Sequence, residues 1–298
     1  MMPRPALSAP LRDAYRVLAD AFGHFNTDDG WAMASHVALS TLLALFPFLI
    51  FIAALAGFLG FGEAAPRVSQ LIFDAWPDAV AAPVANEISK VLTVPRGDLL
   101  TFGVIAALWF SSNGVSAVRV ALNRAYRVTE TRNFLVLRLQ SILVVLFGAV
   151  ALIAFTLLIV LAPLAMAAAQ RFAPALAAWF DQLHVARYVV AGLISTAGLL
   201  VVHVVLPAGR RQLLDILPGV LLTLALWIGS GMLFGMYLAT YANYVSTYAG
   251  LAGVMTALVF LYMVALALLA GGELNASLLR ARRIRQRRRA GEGSASAG

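Results

Sequence analysis

The chain has 298 residues, 61% of them apolar and 12% charged, with a net charge of +8. An ordinary soluble domain carries about 25% charged residues to cover its surface, so this composition, with a mean hydropathy of +0.86, excludes a soluble globular fold. The absence of cysteine excludes disulfides and thiolate metal sites.

Residues 1–30 read as a cytoplasmic N-terminal arm. Arg4, Arg12 and Arg16 alternate with Asp13, Asp20, Asp28 and Asp29, and the first apolar run begins only near Trp31. That run is too long for the core of a cleaved signal. Crossing about 30 Å of hydrocarbon takes about 20 helical residues. Stretches without charge run from Gly30 to Gly62, Leu99 to Val118, Leu139 to Gln170, Tyr188 to Gly209 and Ile216 to Gly272. The last is long enough for two spans, and a cluster of Tyr, Asn and Ser between about 239 and 250 divides it.

The prediction is an all-α polytopic membrane protein with a transmembrane domain over 31–279. Its six spans lie near 34–60, 99–118, 139–165, 188–207, 214–238 and 250–272. Placing both ends in the cytoplasm puts 17 of the 22 Lys and Arg residues on that side, as the positive-inside rule requires. The 62–98 connection is then external. Within it Ala82–Leu92 reads either as a short amphipathic helix at the outer interface or as a plain connector. Residues 280–298 read as a basic, disordered cytoplasmic tail whose arginines attract anionic lipid headgroups at about 1 kcal/mol each. Nucleic acid is the less favoured partner for this charge. Gly231 and Gly235 form a Gly-x-x-x-Gly pair, read as a packing contact within the bundle.

Polar residues inside spans are costly unless partnered, so they are the site candidates. They are His36 and Ser40 in span one, Ser112 and Asn113 in span two, His203 in span four, and Glu273 and Asn275 at the end of span six. The predicted topology gathers them in the cytoplasmic half. The functional reading is a cavity open to the cytoplasm, with Glu273 paired to a cation such as Arg119 or His36. The alternative is a set of residues that merely reach water near helix ends. Pro47 interrupts the hydrogen bonding of span one and is a candidate hinge or a static kink. No metal spacing, nucleophile elbow or phosphate loop occurs in the sequence, so no enzyme activity and no cofactor are expected.

Four stretches together resemble the YihY/BrkB family of bacterial inner-membrane proteins, once labelled ribonuclease BN. They are Ser35-His-Val-Ala-Leu-Ser-Thr-Leu-Leu-Ala-Leu-Phe-Pro47, Asn123-Arg-Ala-Tyr-Arg-Val-Thr-Glu-Thr-Arg132, Leu206-Pro with Leu217-Pro-Gly219, and Tyr248-Ala-Gly-Leu-Ala-Gly253 through Gly271-Gly-Glu-Leu-Asn275. The fourth stretch departs slightly at Tyr248-Ala-Gly, where the family usually has Tyr-Gly. The resemblance implies a multi-pass inner-membrane protein with both termini inside, linked to envelope integrity and virulence. It disfavours the ribonuclease label, because that chemistry wants a cluster this sequence lacks.

The expected function is a transporter or lipid-handling permease. Its substrate would be an anionic lipid or organic anion collected by Arg119, Arg124, Arg127 and Arg132. The alternative is a non-transporting scaffold that assembles other envelope proteins, and either form could be oligomeric.

Overall fold

The structure is a computed structural model that describes residues 9–58, 97–172, 183–245 and 251–295. Among the described residues there are seven helices and no strand. They are α1 (Ala9–Thr27), α2 (Gly30–Phe58), α3 (Gly97–Ala125), α4 (Phe134–Phe172), α5 (Leu183–Val205), α6 (Leu213–Val245) and α7 (Leu251–Ala295). Five contain segments long and apolar enough to cross a membrane, namely Gly30–Ile52, Gly103–Ala125, Phe134–Ile153, Leu213–Leu238 and Gly253–Arg287. Helix α5 adds the shorter apolar segment Gly192–Val205. At most 33% of any of the five long segments is buried within the chain. Leu43, Phe46, Leu143, Met232 and Leu233 point outward. Such faces are stable only with hydrocarbon as solvent, so the protein is a polytopic helical membrane protein.

Helix α7 is the centre of the bundle and packs on α1, α2, α3 and α6. The core is built largely of small residues: Ala34 of α2, Ala117 and Ala121 of α3, and Ala265 and Ala276 of α7. Small side chains let helix backbones approach closely, which matters where lipid removes the hydrophobic drive between helices. The closest approach joins α6 and α7. A Cβ on Gly271 would lie 2.5 Å from the Gly219 carbonyl oxygen, and one on Gly219 would lie 2.5 Å from the Asn275 side chain. The Thr223 hydroxyl bridges this crossing by donating to Gly219 O (2.9 Å) with Ala267 O nearby (3.3 Å).

Four sequence expectations change. The N-terminal arm is largely helix α1, because Leu18, Ala21, Phe22 and Phe25 fall on one face at helical spacing. Helix α3 continues past Val118 to Ala125, so Arg119, Asn123 and Arg124 lie on its last turns rather than in a loop. The basic tail is helical to Ala295. Its Arg-Ala-Arg-Arg-Ile-Arg-Gln run consists mainly of good helix formers, and three of its arginines are tied to carboxylates: Arg280 to Asp20, Arg282 to Asp215 and Arg285 to Asp13. Among the described residues the Gly231/Gly235 pair makes no packing contact, since a Cβ at either would meet nothing within 4 Å.

Helix α2 runs unbroken through Pro47. The proposed interfacial helix at Ala82–Leu92 and nearly all of the 62–98 connection lie outside the described residues.

Pairing of Asp13 with Arg285 (2.7 Å) and of Asp20 with Arg280 (3.1 Å) shows that α1 runs antiparallel to the end of α7. The start of α1 and the end of α7 therefore lie on the same, arginine-rich end of the bundle. A turn at Asp28 and Asp29, the latter with φ 52°, leads into α2. Asp29 there caps the new helix by accepting from Met33 N at 2.9 Å.

Candidate functional site

The polar candidates separate into three arrangements. The first is a buried node. Asn275, fully buried on α7, accepts from Gly219 N (2.7 Å) and donates to Ile216 O (2.9 Å) and to the Tyr126 hydroxyl (3.1 Å). Tyr126 is also 2.9 Å from His203 Nδ1, and the Arg211 guanidinium lies 4.0 Å above its ring. Asn275 thus joins α6 and α7 to the residue that follows α3, and Tyr126 extends the node to His203 of α5. Asn275 uses both ends of its amide, whereas His203 Nε2 and Arg211 Nη1 are buried without a hydrogen-bond partner.

The second arrangement locks two loops together. Arg132 grips Glu130 with Nε and Nη2, both at 2.7 Å, and Nη2 also donates to Leu206 O at 2.8 Å. Asn123 donates to Glu130 (3.0 Å) and accepts from Ala208 N (2.7 Å). Gln140 accepts from Arg132 Nη1 at 2.8 Å and donates to Val205 O. The connection after α3 is thereby fastened to the connection after α5.

Hydrogen bonding from Arg132 is the main reason the Glu130 carboxyl is held down at about 2, against an ordinary value of 4.5. A depressed folded-state value stabilises the fold above about 4.5 and loses that contribution as pH falls towards 2. The contribution is about 3 kcal/mol. Thermal unfolding in detergent should therefore show a steep acid limb, and Arg132→Gln should flatten it. An unchanged limb in that variant would assign the acid sensitivity to another group.

The remaining candidates lie elsewhere. Ser112 is buried and bonds back to Trp109 O at 2.7 Å. Arg119 donates to Leu137 O at 3.2 Å, near Ser141. Exposed Asn113 accepts from Arg138 at 2.9 Å. His36 is exposed, and Ser40 and Pro47 are half-buried on α2. The structure therefore does not unite the set in one cavity.

Nor do the loop arginines form a free anion trap. Arg124 pairs with Asp29 (2.5 Å), Arg127 with Asp28 (2.8 Å) and Arg132 with Glu130. The expected pairing of Glu273 with Arg119 or His36 is absent: Glu273 is 3% exposed and its Oε2 has no hydrogen-bond partner.

Glu273 belongs to the third arrangement, a groove of about 380 Å³ between α1, α6 and α7. Its floor runs along α6 from Leu222 to Ser230 and along α7 from Met263 to Leu274. At 1.5 Å per residue the α7 stretch spans roughly 16 Å, about one leaflet of a 30 Å hydrocarbon layer. Leu18, Phe22 and Phe25 of α1, with Trp31 at the start of α2, close the arginine-rich end. Among the described residues lining it, Glu273 alone is ionisable. A second void of about 10 Å³, room for about one water, adjoins Glu273 on the side of Asp28 and Arg124.

Glu273 was legible in the sequence as an intramembrane acid. The α1 wall was not, because charge counting hid the period of Leu18, Ala21/Phe22 and Phe25. Tyr126 stood in the sequence only as part of the Asn123–Arg132 stretch, and Arg211 carried no signal beyond its place near a span end.

The chain's similarity to known proteins spans nearly its whole length. The sequence profile of the family described as Virulence factor BrkB matches residues 21–296. A Bacillus subtilis (strain 168) protein named as ribonuclease-like, YfkH, is 30% identical over 90% of this chain and 96% of its own. The UPF0761 membrane protein RC1_0578 of Rhodospirillum centenum (strain ATCC 51521 / SW) is 29% identical over 91% of this chain, which covers 59% of that protein. No solved structure matches.

Proposed function

The chain belongs to the virulence factor BrkB family, and on that premise we propose that it is a lipid-handling permease of the bacterial inner membrane, with both termini cytoplasmic. The orientation is supported by the arginine distribution. It places the α1 roof of the groove at the cytoplasmic face, and the groove beside the inner leaflet.

One observation carries the reading: the groove is one leaflet deep and lined almost wholly by apolar side chains, with a single buried carboxylate at its headgroup end. Ligand sites commonly combine an apolar wall with a few placed polar groups. An acyl chain along Leu222, Leu226 and Leu266 would put a lipid head beside Glu273. In this reading the buried node and the loop lock hold the walls rigid, and the protein binds and moves a lipid rather than cleaving a substrate. Arg283 and Arg287, exposed near the end of α7, are available to anionic headgroups.

Native mass spectrometry on the detergent-purified chain tests this. The wild type should retain one phospholipid per chain, and Leu222→Trp, which fills the groove, should lose it without a lower melting temperature. In liposomes the wild type should speed transfer of a fluorescent phospholipid between leaflets, and the variant should not. A wild type that retains lipid but moves none would favour the scaffold role instead.

A further inference from the structure

We propose that the groove selects lipids whose headgroup carries a primary ammonium, which donates its hydrogen bonds to the Glu273 carboxylate. This rests on the lipid-handling reading and adds the class of lipid. Glu273 is 3% exposed, lines both the groove and the small void behind it, and leaves Oε2 without a partner. A buried carboxylate in an apolar wall demands a counter-charge or a hydrogen-bond donor.

Among the described residues none supplies one. Each neighbouring cation is engaged by a different acid: Arg280 by Asp20 (3.1 Å), Arg127 by Asp28 (2.8 Å) and Arg124 by Asp29 (2.5 Å). The missing donor must then come with the ligand. An anionic head such as glycerol phosphate would set a second negative charge beside the carboxylate. A choline head is positive but has no N–H to donate. A primary ammonium provides both charge and donors.

The phosphate of such a lipid also has a complement. The Arg280 guanidinium reaches Ser277 Oγ (3.3 Å), one helical turn beyond Glu273, while its Nε and Nη1 are buried without hydrogen-bond partners. Ser277 is four residues, about 6 Å along the helix axis, beyond Glu273, so the side chain of Arg280 reaches back along α7 towards the acid. That pattern suits a zwitterion whose phosphate and ammonium are close neighbours.

The test uses the full chain in detergent, exposed to equal amounts of phosphatidylethanolamine, phosphatidylcholine and phosphatidylglycerol with identical acyl chains. Retained lipid is counted by native mass spectrometry. The wild type should retain phosphatidylethanolamine at least tenfold over phosphatidylglycerol and several-fold over phosphatidylcholine. Glu273→Gln should still retain one lipid but without that preference, and Glu273→Asp should keep a weaker preference.

Equal retention of all three lipids by the wild type, or a preference that survives Glu273→Gln, overturns the ammonium assignment while leaving a lipid groove in place. Retention of no lipid by the wild type overturns the groove reading itself.

Discussion

Gly271→Val should prevent the bundle from assembling. The added side chain would collide with the Thr223 hydroxyl and the Gly219 carbonyl, both held in place by hydrogen bonds. Neither obstacle is the free end of a flexible side chain, so α6 and α7 would have to separate. Separation would also break the Thr223 and Asn275 bonds across the crossing. Overpacking alone costs about 1–3 kcal/mol, and with these losses the total should exceed about 4 kcal/mol, beyond the usual range for a single substitution. The variant should run as aggregate in size-exclusion chromatography or melt far below the wild type. Gly271→Ala should show the same defect less severely. A normal melting temperature for the valine variant would mean the helices do not meet at this point.

Asn275→Ala should be the next most damaging change. It removes a donor and an acceptor and leaves Gly219 N and Ile216 O without their side-chain partner, and the Tyr126 hydroxyl with His203 as its remaining one. Each buried polar group stripped of its partner costs about 1–3 kcal/mol, so a loss of about 3–5 kcal/mol is expected. Asn275→Asp is a sharper probe. It keeps the acceptor facing Gly219 N but cannot donate to Ile216 O, so it should be no more stable than the alanine variant. If both variants melt with the wild type, water is replacing the amide and the node is not what joins the helices.

These two residues also show how far the sequence could be read. The spans follow from hydropathy because each needs only its own run of apolar residues. Positions such as Gly271 and Asn275 stood out as a motif, yet their partners 52 and 59 residues earlier, Gly219 and Ile216, are fixed by how α6 crosses α7. No local pattern encodes that crossing.

The polar residues illustrate the same limit. His36 and Glu273 have similar claims by sequence, since both are ionisable and lie near span ends. The structure leaves one exposed and the other buried under α1. The basic tail, expected to be disordered, is helical to Ala295. Asp13, Asp20 and Asp215, distant in sequence, supply the counter-charges that keep the run helical.

The antiparallel pairing of α1 with the end of α7 has a consequence for biogenesis. Asp13 and Arg285 are 272 positions apart, so α1 leaves the ribosome long before the end of α7 against which it docks. At about 5–20 residues per second, α1 waits on the order of tens of seconds with Ala21 and Phe25, both buried in the finished bundle, still uncovered. During translation the headgroup layer of the membrane, which accepts amphipathic helices lying flat, offers the natural resting place. The roof closes only after α7 has been made, and a nascent chain stalled before that point would expose α1 to quality-control proteases.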